Sequence, residues 1–509
     1  MTPMPITLGM ALAFASLAWV VGGDPLLKTK DASSTIDFSN CGEELQLTNE
    51  FECGTLIVPV DHDHPETGTI ELFVSRRKAN GTTPALGNLV FNNGGPGASS
   101  LIMFQTLSQG SSPFSQAILE SYDIISVDLR GIGLSNPISC DKDIWNNQPE
   151  ILAMDDESFD SLVAHNKALG ESCLRLTGPL VGFMDSVSTI KDLELLRQAL
   201  GGGKLNYIGY SYGTLLGQIY VELYPDNVGR FILDAVIDHA PADDIYGIMT
   251  ETQTYEATLK QFFAWCKDTP GDCPIADKDL PALFKNLTAL NSSIPAPQCN
   301  GTCKTVVTGE DILFGTEDRL AFKESKTAFI AANWSALAGV LYAAANGDGS
   351  AFSRTLFQKD VDESPSESKF ANRAVWCQDY GTTIRSATDV KRIVDLASAL
   401  IPLTRGASES LDARVHCVGW PTPVQNPPHR LDAAQVAKLP PLMLVNAFYD
   451  PETSPVWAEA VRNQLPSAVT VWRAGAGHSS YILFGETSKA MDNFLINGNL
   501  PKDGTIYNS

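Results

Sequence analysis

Leu205-Asn-Tyr-Ile-Gly209-Tyr210-Ser211-Tyr212-Gly213-Thr214 is the stretch on which the reading of this chain turns. Leu205–Ile208 is a short apolar run, read as a buried strand, and Thr214–Tyr224 has the spacing of an amphipathic helix. Between them lies G-x-S-x-G. A serine on a strained turn from strand into helix presents its hydroxyl, and the glycines two before and two after it relieve the crowding. Average residue usage predicts roughly 0.2 chance matches to this pattern in a chain of such length, so the pattern alone is weak. The strand before it and the helix after it supply the weight. The bland alternative is a glycine-rich turn without chemistry.

Working outward, Leu56–Val60, Ile70–Val74, Leu89–Asn92 and Ile124–Asp128 are short, apolar, β-branched-rich segments bounded by Gly, Pro or Asn, and read as strands. Ser186–Leu200 carries apolar residues at helical spacing and stops at Gly201-Gly202-Gly203. Phe231–Val236 is a further strand. Alternation of strand and helix predicts an α/β fold with a mostly parallel sheet covered on both faces. After Ala240 helical segments such as Tyr255–Cys266 and Ala336–Ala345 take over, until strand character returns at Pro441–Asn446 and Val469–Trp472. A last helix is expected around Lys489–Ile496. The expected organisation is a sheet domain over 36–240 and 436–505, split by a large helical insertion over 241–435. In α/β enzymes such insertions cover the carboxyl ends of the strands, where ligands bind.

A nucleophilic serine needs a base, and the base an orienting carboxylate. On this turn they follow in the order Ser, Asp/Glu, His, each after a late strand. Asp450 follows Pro441–Asn446, and His478 follows Val469–Trp472 within Gly475-Ala-Gly-His478. His62, His64, His165, His239, His416 and His429 fit that order less well. Asn92-Asn93-Gly94-Gly95-Pro96-Gly97 follows the strand Leu89–Phe91, and adjacent glycines let a chain turn its N–H groups toward an oxyanion. The expected donors are the N–H groups of Tyr212 and Gly95, with Gly94 as fallback. As a phosphate loop the stretch fails, since no Lys-Ser/Thr closes it. Neither a metal nor a cofactor is called for. Arg130, in Asp128-Leu-Arg130-Gly131, reads as a structural tie between loops.

The chain has 509 residues, 36 Lys+Arg against 59 Asp+Glu, and a formal net charge of −23. An acidic balance argues against nucleic acid, whose binding needs clustered cations, and disfavours an anionic membrane surface. Residues 1–23 read as a signal peptide around the uncharged run Ile6–Val21, with a signal anchor as the alternative. Ten cysteines agree with export, and most are near neighbours: Cys41 with Cys53, Cys140 with Cys173, Cys266 with Cys273, Cys299 with Cys303. Cys377 and Cys417 remain. Five bridges in an oxidising compartment is the expectation, although spacing does not set connectivity. Zinc at Cys299/Cys303 is the competing reading, and no second Cys/His pair lies nearby to complete it. Glycosylation sequons stand at Asn80, Asn286, Asn291, Asn300 and Asn333, three of them within 286–302, read as an exposed loop region. The expected localisation is secreted, with no stable membrane association.

Taken in order, these pieces resemble the α/β-hydrolase superfamily, and within it secreted serine peptidases of the proline iminopeptidase and tripeptidyl aminopeptidase type. The resemblance rests on Val58-Pro59-Val60-Asp61, Gly94-Gly95-Pro96-Gly97, Asp128-x-Arg130-Gly131-x-Gly133-x-Ser135 and Gly209-Tyr210-Ser211-Tyr212-Gly213-Thr214. It continues through Leu233-Asp234, Cys377-x-Asp379, Cys417-x-x-Trp420-Pro421, Asp450-Pro451 and Gly477-His478. It implies Ser211 as nucleophile, Asp450 as orienting acid, His478 as general base, and a bridge between Cys377 and Cys417. The implied reaction is acyl transfer to Ser211 and hydrolysis, releasing short N-terminal pieces from peptides. Three departures stand out. Asn93 replaces a frequent His, Ala235 a common Gly, and Asp450-Pro-Glu-Thr-Ser-Pro455 is one residue longer than usual. A non-peptidase esterase, lactonase or small-molecule tailoring hydrolase is the alternative on the same fold, and a catalytically dead binding protein a third reading. Asp379, Asp238 and Glu256 are candidate partners for a substrate amino group, each read first as a structural acid.

Overall fold

Strands made of unbroken apolar residues must be covered on both faces, and the sheet of this protein is built that way. The computed structural model describes residues 35–82, 85–324, 333–357 and 369–508; the expected signal peptide lies outside them. Twelve strands are present among the described residues: β1 (Ser39–Asn40), β2 (Phe51–Pro59), β3 (Thr69–Arg77), β4 (Asn88–Asn92), β5 (Asp123–Val127), β6 (Leu205–Tyr210), β7 (Val228–Asp234), β8 (Ser293–Pro295), β9 (Val306–Thr308), β10 (Leu442–Tyr449), β11 (Ala468–Ala476) and β12 (Thr505–Tyr507). Ten form one sheet in the order β1-β2-β3-β5-β4-β6-β7-β10-β11-β12. Pairing is antiparallel from β1 to β3 and between β3 and β5, and parallel from β5 to β12. The predicted mostly parallel α/β sheet is therefore found. Successive side chains of a strand enter separate apolar layers: Tyr207 of β6 packs into one and Ile208 into the other.

Seven helices position the site. They are α1 (Ser186–Ala199), α2 (Tyr212–Leu223), α3 (Asp244–Asp268), α4 (Gly309–Leu320), α5 (Lys369–Asp379), α6 (Glu409–His416) and α7 (Glu486–Asn497). The Asp185 side chain caps α1 by accepting the Ser188 N–H, and Gly201 and Gly202 end it at positive φ. Between β7 and β10 the chain forms an insertion that carries α3 to α6. It has its own apolar core, in which Tyr255, Phe262, Trp334 and Leu337 are buried. The insertion is not wholly helical, because β8 and β9 pair in it as a short antiparallel ribbon. Nor are residues 286–302 simply a loop. Asn286 sits in a helix over Leu280–Leu287, although Asn286, Asn291 and Asn300 are all exposed. Asn80 is exposed too, whereas Asn333 caps a helix by accepting the Ala336 N–H.

All ten cysteines are joined, as Cys41–Cys53, Cys140–Cys173, Cys266–Cys273, Cys299–Cys303 and Cys377–Cys417. The bridge at Cys299/Cys303 takes up both thiols that the zinc reading required. Cys377–Cys417 ties α5 to the end of α6, over the sheet domain.

Arg130 is a structural tie. Its guanidinium is buried, bonds both carboxylate oxygens of Asp192 on α1, and donates to the carbonyls of Pro59, Val60 and Phe183. His62 closes the cluster 2.7 Å from Asp192. Removing the anion strands a buried cation, so Asp192→Ala should destabilise the fold by about 3–5 kcal/mol, read by urea unfolding. Loss below about 1 kcal/mol would contradict this burial-based account.

Candidate active site

Ser211 stands between β6 and α2 at φ 54°, ψ −124°, a backbone conformation unfavourable for a residue with a side chain. Three bonds hold it there. Its N–H donates to the Asp234 carbonyl, and its own carbonyl accepts the N–H and Oγ1–H of Thr214. The flanking glycines are needed for space: a Cβ on Gly209 would lie 2.3 Å from the Gly213 carbonyl oxygen, and one on Gly213 2.8 Å from that of Asn92. Ala235, where the resembled family commonly has glycine, sits at φ 67°, with its N–H bonded to the Val445 carbonyl. That conformation explains why glycine suits the position.

Asp450 follows β10 and is fully buried. One carboxylate oxygen accepts the N–H groups of Glu452 and Thr453 and the other the Thr453 hydroxyl. His478, in the turn after β11, places Nδ1 2.9 Å and 3.1 Å from the two Asp450 oxygens. The His478 turn is anchored from below by Asp234, whose carboxylate accepts the N–H groups of Ser480 and Tyr481. Burial disfavours the imidazolium, but Asp450 and Glu452 outweigh it and raise the His478 pKa to about 10. Ser211, His478 and Gly95 line one cavity of about 550 Å³. Tyr212 begins α2, so its N–H belongs to the unpaired first turn of a helix. Gly94 is a poorer donor than Gly95, because its N–H already donates to the Asn92 side chain. Helix α5 crosses above this loop, where Asn372 donates to the Pro96 carbonyl.

Two family models match the chain, one for the alpha/beta hydrolase fold over residues 87–277 and one described as TAP-like protein over 405–506. Between them they span more than half of the 509 residues. This chain has the α/β-hydrolase fold. Among curated relatives, the tripeptidyl aminopeptidase of Streptomyces lividans is 33% identical over 48% of this chain and 44% of its own length. The chain thus aligns with under half of that relative. The serine protease Hip1 of Mycobacterium tuberculosis is 26% identical over 97% of this chain and 95% of its own length. A solved proline iminopeptidase from Mycobacterium smegmatis gives a TM-score of 0.38 at 11% identity, covering 87% of this chain and 98% of that one, too distant to bear on substrate.

The other six histidines of this hydrolase sit elsewhere in the fold. His165 lies 2.9 Å from the Ile144 carbonyl, His239 2.7 Å from that of Asp379, and His416 and His429 face Asp412 and Glu222. His62 belongs to the Arg130 cluster, and His64 is an exposed neighbour of Glu66. Of the three acids considered for an amino group, Asp379 is buried beneath the turn, where it accepts from Ser186 and the Tyr212 hydroxyl. Glu256 accepts the Leu403 N–H and pairs with Lys260. Only Asp238 reaches a cavity wall, in a smaller recess beside Ser211.

The acids that do surround the site come from four separate elements. Glu317 and Asp318 of α4, Glu409 of α6 and Glu452 of the Asp450 loop line the main cavity, and Glu251 of α3 joins Glu409 and Glu452 in the smaller one. Burial and mutual repulsion raise Glu452 against the lowering influence of the His478 imidazolium beside it, and push Glu317 and Glu409 well above the usual carboxyl range. Glu251 is raised to about 7, burial again leading. The arginines of the same cavity are already matched, Arg354 to Glu310 and Asp311, with Arg373 3.8 Å from Asp412. Glu317 Oε1, by contrast, is buried without a hydrogen-bond partner. Only the Glu452 position had a signal in the sequence, as part of the lengthened Asp450–Pro455 segment.

Proposed function

We propose that this protein is a secreted serine exopeptidase that releases short N-terminal pieces from peptides through an acyl-enzyme on Ser211. The observation that carries the reading is the excess of carboxyls around Ser211, with Glu251 and Glu317 buried and Glu409 and Glu452 half-buried. Such groups are costly to ionise in an empty cavity and become favourable partners for a cation that enters it. A peptide's free amino terminus brings that cation within reach of the serine, which a neutral ester does not. Five disulfides support the exported setting.

In this mechanism the Ser211 hydroxyl attacks the scissile carbonyl while His478 Nε2 takes its proton. Asp450 holds the Nδ1–H and stabilises the imidazolium. The N–H groups of Tyr212 and Gly95 receive the oxyanion. The imidazolium then protonates the departing amine, and a water deprotonated by His478 hydrolyses the acyl-enzyme.

Purified protein assayed on aminoacyl- and tripeptidyl-anilides with free amino ends, on their N-acetyl counterparts and on p-nitrophenyl acetate tests this. Cleavage of the free-amino anilides at a kcat/KM at least about tenfold above the N-acetyl forms is expected, given the worth of one charge-assisted contact. Moderate salt should raise KM for the charged substrates and spare the ester, since screening weakens only the former. Ester turnover without any anilide cleavage would favour the non-peptidase alternative.

A further inference from the structure

The His478 ring lies between two carboxylates rather than one. Asp450 holds Nδ1, and on the opposite side Glu452 Oε2 is 3.2 Å from Nε2. One turn produces both contacts, because the N–H of Glu452 itself donates to Asp450. Nε2 is the nitrogen that must accept the Ser211 proton. While it carries a proton stabilised by the Glu452 charge, it cannot act as a base. Other charges facing the pair are Glu317 and Asp318 from α4, Glu251 from α3, Glu409 from α6, Asp234 from β7 and Arg473 from β11. Carboxyls predominate among these groups, and each one that ionises favours keeping the proton on the ring.

We propose that Glu452 is a specificity-determining residue that holds His478 idle until a substrate ammonium takes its carboxylate. The inference rests on the exopeptidase reading. A free amino terminus entering the cavity would be shared by Glu452 and the unpartnered Glu317 Oε1. Its positive charge offsets the field of Glu452 at the ring. The imidazolium then loses its proton to solvent, and Nε2 is free to accept one from Ser211. Substrates without a cation leave the contact in place and react slowly. Glu452 acts through His478, so its role is one of positioning and selection.

Glu452→Gln separates these effects. For p-nitrophenyl acetate at pH 7, kcat/KM should rise about tenfold, and the acidic limb of its pH profile should move about one pH unit lower, as one neighbouring anion is removed. For a free-amino anilide, kcat/KM should instead fall about tenfold or more through a higher KM. Glu317→Gln should weaken the anilide without raising ester turnover. A second measurement needs no turnover: L-alaninamide titrated calorimetrically into the Ser211→Ala protein, in buffers of different ionisation enthalpy, should release about one proton per ligand bound. Equal loss on ester and anilide in Glu452→Gln, an unmoved ester profile, or binding without proton release would each overturn the proposal. If the wild type cleaves esters and no anilide, the exopeptidase reading falls, and a shifted ester profile in Glu452→Gln would still uphold the contact with His478.

Discussion

Ser211→Ala should abolish turnover of every substrate, by about four to six orders of magnitude in kcat, and leave the protein folded. The magnitude follows from the mechanism. Without the Oγ no acyl-enzyme forms, and only the oxyanion donors and substrate binding remain to assist direct attack by water. Stability should scarcely change with alanine, since the hydroxyl is removed and the φ of 54° kept. Ser211→Gly should go further and melt above Ser211→Ala, because glycine adopts positive φ without the cost of about 1 kcal/mol borne by a residue with a Cβ. Turnover of anilide and ester, followed beside thermal unfolding, checks both statements. Full activity in Ser211→Ala would remove the serine from the chemistry altogether.

Asp450→Asn should lower kcat about three to four orders of magnitude for anilide and ester alike. The asparagine amide fits the same space and can still accept from the turn. It carries no charge to stabilise an imidazolium, and it can present an N–H to Nδ1, which would favour the wrong tautomer. The sign of the accompanying pH effect is determined. Asp450 is the leading influence that raises the His478 pKa, so its removal lets the ring lose its proton at lower pH. The acidic limb of the residual kcat/KM profile should therefore move down. A rate within about tenfold of wild type would show that another group orients His478.

How much of this was legible beforehand depends on the length of chain each feature needs. The turn at Ser211 is local: strand, two glycines and helix lie within one short stretch, and their steric demands appear directly as residue types. The mostly parallel sheet was legible too, because β4, β6 and β10 are apolar without alternation. Strands β1, β8, β9 and β12 span only two or three residues each and carry no period to detect. Asp450 and His478 could be named from their order after late strands, but not the geometry between them. Glu317, Glu409 and Glu251 had no signal, since an acid on a helix reads as a solvated face until the helix is placed.

By itself, then, the sequence determined the fold class and the turn that presents Ser211, because backbone sterics and apolar runs act between near neighbours. Tertiary structure alone decided the character of the cavity. It brings α3, α4, α6 and the Asp450 loop together, takes Glu251 and Glu317 out of water and half-buries Glu409 and Glu452. It also puts Glu452 beside Nε2 of His478, opposite the nitrogen that Asp450 holds. Charge acts through space and its strength depends on burial, so a net charge of −23 reveals nothing of where those anions gather.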